Sequence, residues 1–223
     1  MERLVISCKM LSDELHKVCE GKKNIPRIIE LERGMHNNPK RLQEILQKQI
    51  HENQDVDEIV LTYGLCGNGT LGLMSPKTKL IIPKFDDCIS QLLYQDCIGR
   101  KKRSEVQKGH LYVTRGWTLD QEAILLQCQN ILSIYGADTG KEIINQIYGG
   151  YQQISIIDTK AYDMHQVENY VKNIKKYLNV EVENVCGSTD ILEKIISGNY
   201  DDNFIILSPG EVLEEKMFRF NGK

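Results

Sequence analysis

The segment DEIVLTYGLCGNGT, residues 57–70, passes from an apolar run into a loop in which every second or third residue is glycine. The apolar run predicts a buried strand, and Gly64, Gly67 and Gly69 end it. Cys66 lies among these glycines. In parallel α/β sheets, ligands bind at the edge formed by the carboxyl ends of the strands. A strand that delivers a thiol to a flexible loop therefore indicates a functional site.

Apolar runs and amphipathic helical patterns alternate along the rest of the chain, which predicts parallel sheet flanked by helices. The fold class is α/β, with Rossmann-like units. The other predicted strands are LVISC up to Cys8, IPRIIELERG, TKLIIP, HLYVTRGW, QISIIDT, VEVENVC and FIILSPG. The predicted helices are LSDELHKVCEG, 39–51, CISQLLYQ, TLDQEAILLQCQNILSIYG with a capping box of Thr118 and Gln121, 140–148, 164–178 and TDILEKIISG.

Two features suggest a division of the chain. The basic cluster at 100–103 is typical of an exposed loop, and the glycine pair at 149–150 is typical of a hinge. We therefore expect a cysteine-bearing α/β unit over residues 1–150 and a smaller α/β unit over residues 151–223 packed on it. One continuous domain is the alternative.

The composition excludes several classes of protein. With 223 residues, of which 41% are hydrophobic, the chain can form a proper core without disulfides or metals. The formal net charge is only -3, so no strong field favours nucleic acid or an anionic membrane. No apolar run is long enough to span a bilayer, and the acidic residues near the start do not fit a signal peptide. A cytoplasmic location is expected, without nucleic acid or membrane partners.

Seven cysteines are many for an intracellular chain, and their odd number argues against a closed disulfide framework. We interpret three of them as small buried hydrophobes on helical patterns: Cys19, Cys97 and Cys128. Three others follow the ends of three predicted strands: Cys8, Cys66 and Cys88. Because those strand ends share one edge of a sheet, these three thiols are expected to converge.

Each of the three thiols has a distinctive local setting. Glycines flank Cys66, and the backbone N–H groups from Gly64 through Gly67, Asn68 and Gly69 are predicted to form an anion-binding nest. Cys88 opens a predicted helix, whose N-terminus lowers a thiol pKa, although the neighbouring acidic pair at 86–87 opposes this. Cys8 precedes the helix predicted to begin near Leu11, which is a similar electrostatic setting.

Three dispersed thiolates favour an iron-sulfur cluster. A structural zinc site takes four ligands and usually draws them from close C-x-x-C pairs, which the chain lacks, so zinc is the second choice. A 4Fe-4S cluster held by three cysteines keeps one iron open to a small substrate or an electron partner. His36 is a candidate fourth ligand or acid/base group, or its ring caps the following helix.

At these residues the sequence resembles domain-of-unknown-function family 1638, which is found mainly in anaerobic bacteria and methanogens. The matching pieces are ISC at 6–8, GMHNNP at 34–39, YGLCGNG at 63–69, IIPKFDDCI at 81–89, TRGW at 114–117 and LSPG at 207–210. Phe85 and Asp86 depart from the family's form, which more often has arginine and histidine there. The resemblance implies an anaerobic cytoplasmic setting near corrinoid-dependent methyltransferase systems, with a corrinoid protein or a methyltransferase as partner.

Other residues and activities remain open. Trp117 either walls a pocket for a flat cofactor or packs between sheet and helix, and Arg115 either anchors an anionic substrate or forms a surface salt bridge. Cys186 is a further candidate ligand. The enzyme hypotheses are an iron-sulfur-dependent lyase, desulfidase or redox enzyme, and a nucleophile formed by Cys66 with His36 as base. The non-enzyme hypothesis is a corrinoid-binding or accessory protein.

Overall fold

The computed structural model describes residues 2–96, 109–120 and 123–219, and within them the chain forms two sheets. The strands in these residues are β1 (Arg3–Cys8), β2 (Arg27–Leu31), β3 (Glu58–Leu61), β4 (Lys79–Pro83), β5 (His110–Val113), β6 (Gln153–Asp158), β7 (Glu181–Cys186) and β8 (Phe204–Leu207). The basic cluster at 100–103, Cys97, and Gln121 of the predicted capping box lie outside the described residues.

The α-helices of the same residues alternate with the strands. They are α1 (Ser12–Cys19), α2 (Pro39–Glu52), α3 (Cys88–Leu92), α4 (Arg115–Thr118), α5 (Ile124–Tyr135), α6 (Ala137–Tyr148), α7 (Met164–Ile174) and α8 (Asp190–Ser197). Short 3-10 turns precede α1 and α2 and follow β8. Over the described part of the chain, no helix combines the length and the apolar character that crossing a membrane requires.

The first sheet has the strand order β2-β1-β3-β4-β8, in which β8 runs antiparallel to β4 and the other pairs are parallel. The second sheet has the order β5-β6-β7 and is entirely parallel. Helices cover the sheets, as parallel strands require because their crossovers lie on the sheet faces. The predicted α/β class with parallel, Rossmann-like units is confirmed.

The membership of the two sheets does not follow the predicted boundary near residue 150. Strand β5 precedes that point but pairs with β6, and β8 follows it but returns to pair with β4. Along the chain, the residues of β5 to β7 therefore lie between those of β4 and β8, which both belong to the first sheet. As a domain division, the boundary near residue 150 stays a prediction.

Side chains that alternate along β1 explain the layers of the first sheet. Leu4 and Ile6 are fully buried against α2, whose Leu42 and Leu46 recur at helical spacing on one face. Val5 points to the opposite face and packs with residues of α1, α3 and α8. Burial of both faces accounts for the nearly continuous apolar character of β1, β3 and β4.

One predicted strand ends in a helical turn. HLYVTRGW is extended only from His110 to Val113, and Arg115–Thr118 forms a helical turn instead. This turn packs closely against the segment after β1. A Cβ atom on Gly116 would be only 2.0 Å from the carbonyl oxygen of Met10, so only glycine allows the contact. The contact brings the following residue, Trp117, to the point where the hydrophobic clusters of both sheets meet.

Candidate functional site

The three strand-end cysteines belong to three neighbouring strands of the first sheet. Cys8 is the last residue of β1, while Cys66 and Cys88 follow the ends of β3 and β4. Because β1, β3 and β4 are adjacent and parallel, all three thiols are delivered to one edge of the sheet. In the part of the chain that the structure describes, the cysteines are free thiols.

The loop that carries Cys66 continues the pairing of β3 with β4 beyond the strands. The backbone N–H of Leu65 donates to the carbonyl of Phe85 at 2.8 Å, and the N–H of Cys66 donates to the carbonyl of Asp86 at 2.8 Å. Glycine is required at position 64, because a Cβ atom there would be 2.2 Å from the Phe85 carbonyl oxygen. This approach sets Cys66 beside the segment that leads into Cys88.

Left-handed backbone shapes the turn after the thiol loop. Cys66, Gly67 and Asn68 have φ values of 46°, 64° and 73°. The N–H of Gly69 donates to the carbonyl of Cys66 at 3.1 Å, so it is not available to an anion. The predicted nest therefore loses this donor, and Gly69 instead allows close packing on Leu42 of α2.

The three thiols lie within electrostatic reach of one another and of a buried tyrosine. Burial raises the pKa of Tyr63, and the charges of Cys8, Cys66 and Cys88 raise that pKa further. Burial likewise raises the pKa of Cys8, against the lowering effects of a Met10 backbone hydrogen bond and the Tyr63 hydroxyl.

The net shift of the Cys88 pKa is upward, opposite to the lowering expected from a helix N-terminus. Cys88 does open α3, but the helix has only five residues. Desolvation by burial raises the pKa of Cys88 well above its ordinary value, and the negative charges of Cys66 and Cys8 raise it further. The backbone hydrogen bond at Cys88 lowers this pKa by less than burial raises it. Desolvation and like-charge repulsion therefore prevail over the helix end.

A buried polar network supports the thiols. The N–H of Cys8 donates to Oγ1 of Thr62 at 3.3 Å, and that hydroxyl donates to Oγ of Ser7 at 3.1 Å. Nε2 of Gln91, from α3, donates to the carbonyl of Thr62 at 2.9 Å. These contacts connect β1, β3 and α3 beneath the thiols, and Oε1 of Gln91 has no hydrogen-bond partner among the described residues.

Glu14 is a buried carboxyl group that the sequence reasoning missed. It is fully buried on α1, where burial raises its pKa to about 7 and its charge acts on Cys88. Thr159 donates to Oε1 at 3.0 Å, while Oε2 has no partner in the described part of the chain. The signal was available, because Glu14 shares the apolar helix face of Leu11 and Val18, where an acidic residue is unexpected.

His36 and Trp117 stand side by side near the thiols. Their ring centroids are 5.5 Å apart, and both rings line a cavity of about 320 Å³ that reaches Ile89, the neighbour of Cys88. Oδ1 of Asn38 caps α2 by accepting from the N–H of Arg41 at 3.1 Å, and the alternative role of His36 as a helix cap stays a prediction. Trp117 both packs against the core and walls the cavity.

Comparison with known proteins identifies the family. The family model described as "Protein of unknown function (DUF1638)" matches residues 30–196, about three quarters of the chain. The chain belongs to domain-of-unknown-function family 1638. The searches of curated proteins and of solved structures give no match to this chain.

The family 1638 match includes Cys66, Cys88, His36 and the TRGW segment at 114–117, while Cys8 precedes the matched range. The LSPG segment at 207–210 follows it. Membership in family 1638 therefore rests on the part of the chain that contains two of the three thiols, and the third comes to them through the pairing of β1 with β3.

Two arginines of this family 1638 member, Arg115 and Arg33, differ in the contacts of their guanidinium groups. Arg115 pairs with Asp13 and donates from Nε to Oε1 of Gln166 at 2.9 Å, so its guanidinium already serves a structural contact. Arg33 acts on the thiols, because its charge lowers the pKa of Cys8. Its Nε is buried and finds no partner in the described residues. Arg33 was not singled out by sequence, since arginines in loops have no distinctive pattern.

Within residues 2–96, 109–120 and 123–219, no group of three or more His, Cys, Asp or Glu side chains is arranged to hold a metal ion. The further candidate Cys186 ends β7 in the second sheet and is exposed. The chemically distinctive groups of the site are thus the three thiols with Tyr63, bordered by Glu14 and by the cavity at His36 and Trp117.

Proposed function

We propose that this family 1638 member binds a 4Fe-4S cluster through Cys8, Cys66 and Cys88, with one iron left open to a small substrate or an electron partner. The observation that carries the proposal is the delivery of three free thiols from three adjacent parallel strands to one sheet edge, within electrostatic reach of each other. The edge at which parallel strands end is where ligands bind in α/β sheets.

The chemistry of the donor set fits a cluster better than a single ion. Around one zinc ion the thiolates share a centre about 2.3 Å away, whereas each thiolate of a cluster binds a different iron, so the sulfurs stand farther apart. The three thiols lie near enough for their charges to act on one another, and the chain has no C-x-x-C pair of the kind that zinc sites usually use. Zinc is accordingly the weaker alternative.

Neighbouring groups act on the protonation of the thiols in opposite directions. Cofactor binding requires thiolates, so the protons of Cys8 and Cys88, whose pKa values are raised, must leave on binding. The Tyr63 hydroxyl and the Arg33 charge both favour the Cys8 thiolate. When bound, a cluster of this kind supplies a Lewis-acidic and redox-active iron.

The groups around the thiols are the proposed contacts to the substrate. His36, next to Trp117 on the cavity wall, is the proposed acid/base group. Arg115 stays the predicted anchoring group, and Arg33 is the arginine whose charge acts on Cys8. The reaction classes proposed are lyase, desulfidase or redox chemistry. The anaerobic setting, the cytoplasmic location and a corrinoid or methyltransferase partner belong to the proposal through the family resemblance.

The test is anaerobic purification and reconstitution with iron and sulfide, followed by iron and sulfide analysis and by ultraviolet-visible and electron paramagnetic resonance spectra. Single alanine variants of Cys8, Cys66 and Cys88 should each lose the cluster. The matched control variants Cys19→Ala and Cys186→Ala should retain it, because Cys19 lies on α1 and Cys186 on the second sheet.

Iron content that is unchanged in all three single variants would refute the assignment, as would a wild-type chain that takes up no iron. Tight cobalamin binding by iron-free protein would instead support the accessory role. Modification of Cys66 alone by an electrophile, dependent on His36, would support the nucleophile.

A further inference from the structure

The cavity beside the thiol site has a lining suited to a flat ligand. Its wall includes Trp117 and the four tyrosines Tyr112, Tyr148, Tyr151 and Tyr170. Its volume of about 320 Å³ is at the lower end of the range for small-molecule sites, which suits one or two fused rings. Aromatic walls favour aromatic ligands, through stacked or edge-to-face contact between the rings.

A chain of hydrogen bonds orients a histidine on the wall of this cavity. His110 of β5 lines the cavity, and its Nδ1 lies 3.3 Å from Oγ of Ser155 on the neighbouring strand β6. Oγ of Ser155 in turn donates to Oε1 of Glu183 on β7 at 2.7 Å. Ser155 is fully buried. Each of three adjacent parallel strands thus contributes one residue to this chain of hydrogen bonds, called the relay below.

The relay determines which nitrogen of His110 is left for a ligand. A serine hydroxyl has one proton, and Ser155 gives that proton to the Glu183 carboxylate. Oγ can therefore only accept from the N–H at Nδ1 of His110. Nδ1 also lies 3.9 Å from Oε1 of Glu183, which favours the proton on that nitrogen. Nε2 of the neutral ring is then a hydrogen-bond acceptor.

Trp117 also lines the cavity, next to the ring of His36 at a centroid distance of 5.5 Å. Asn37, Asp120 and Gln127 are further polar residues of the lining. The cavity thus combines aromatic walls with a histidine, His110, whose ring is oriented by the relay.

We propose that the cavity is a binding site for a small planar nitrogen heteroaromatic compound with a ring N–H donor. The N–H donates to Nε2 of His110, and the ring packs against the aromatic wall that includes Trp117. Glu183 and Ser155 are positioning residues, which act on the ligand only through the His110 ring. The inference rests on the proposed function, which gives the same cavity to the substrate, but failure of the two is distinguishable, because His110 is not a proposed cluster ligand and ligand binding is measured separately from iron content.

Trp117 is the only tryptophan of the chain, so a spectrum of ¹⁵N-labelled protein contains one indole N–H signal, which reports directly on the cavity. The probe is 1H-indazole, and the matched compound is indene, which has the same two-ring shape without nitrogen. Indazole should shift the indole signal saturably and bind about 3- to 10-fold more tightly than indene, the difference expected from one hydrogen bond.

The decisive variant is His110→Asn, whose amide can still donate to Ser155 but carries no atom at the place of Nε2. It should bind indazole as weakly as indene, while indene binding stays unchanged. The control is His165→Ala, because the His165 side chain is 86% exposed on α7. A missing or non-saturable shift, equal binding of the two compounds, or full indazole affinity in His110→Asn would each overturn the proposal.

Discussion

Glu14 provides a direct test of the electrostatics beneath the thiol site. The substitution Glu14→Gln keeps the size of the side chain and an oxygen that accepts from Thr159, as Oε1 of Glu14 does at 3.0 Å. It replaces Oε2, which has no partner in the described residues, by a neutral amide. Because burial favours the neutral carboxyl, the glutamine variant mimics the protonated form of Glu14 at every pH.

The magnitude follows from the shift in pKa. The pKa of Glu14 is about 7 in the folded protein against an ordinary value of 4.5. Between these values the native state binds more protons than the unfolded chain, so the free energy of unfolding falls as pH rises. The stability contributed by the neutral carboxyl is fully present below pH 4.5 and is lost as pH rises through about 7. With 1.36 kcal/mol per pKa unit, the full loss is about 3 kcal/mol.

Glu14→Gln should therefore match the wild type near pH 4.5 and exceed it by about 2–3 kcal/mol at pH 8. Urea unfolding of both proteins at the two pH values measures the difference, and other titrating groups cancel in the comparison. Glu20→Gln, on an exposed residue just after the same helix, is the control and should show no such difference. If Glu14→Gln and the wild type have parallel pH profiles, Glu14 is not a desolvated carboxyl.

Two further predictions concern packing and access. Gly64→Ala should lower the free energy of unfolding by about 2–4 kcal/mol in urea, because Cβ would lie 2.2 Å from a carbonyl oxygen. Gly150→Ala has no atom within 4 Å of its new Cβ and should change stability little, and equal losses would contradict this reasoning. In a timed iodoacetamide reaction followed by mass spectrometry, exposed Cys186 should be alkylated before fully buried Cys128, and equal rates would contradict the assigned burial.

The elements of the fold could be predicted because their apolar patterns are local. The strand before Cys8 and the helix from Pro39 lie where the sequence indicates them, since alternation and helical spacing report burial directly. The pairing of strands could not be predicted in the same way. Strand β8 has the same apolar pattern as a parallel strand, and only its antiparallel contact with β4 shows which sheet it joins.

The convergence of the thiols followed from one rule, that neighbouring parallel strands end at the same edge. Their electrostatics did not, because the pKa of Cys88 depends on desolvation and on two residues distant in sequence. The histidine relay depends on strand register. His110 and Ser155 become neighbours only because Tyr112 pairs with Ser155 across β5 and β6.

The antiparallel strand β8 also affects the order in which the protein can be assembled during synthesis. Residues of β1 to β4 leave the ribosome before those of the second sheet, and in the described part of the chain the outer edge of β4 is covered by residues 204–207, which are made after that sheet. The three strands of the second sheet are made in the interval and have every pairing partner within their own segment. The nascent chain therefore carries an open, apolar β4 edge while the second sheet closes, which is the period of greatest exposure to aggregation.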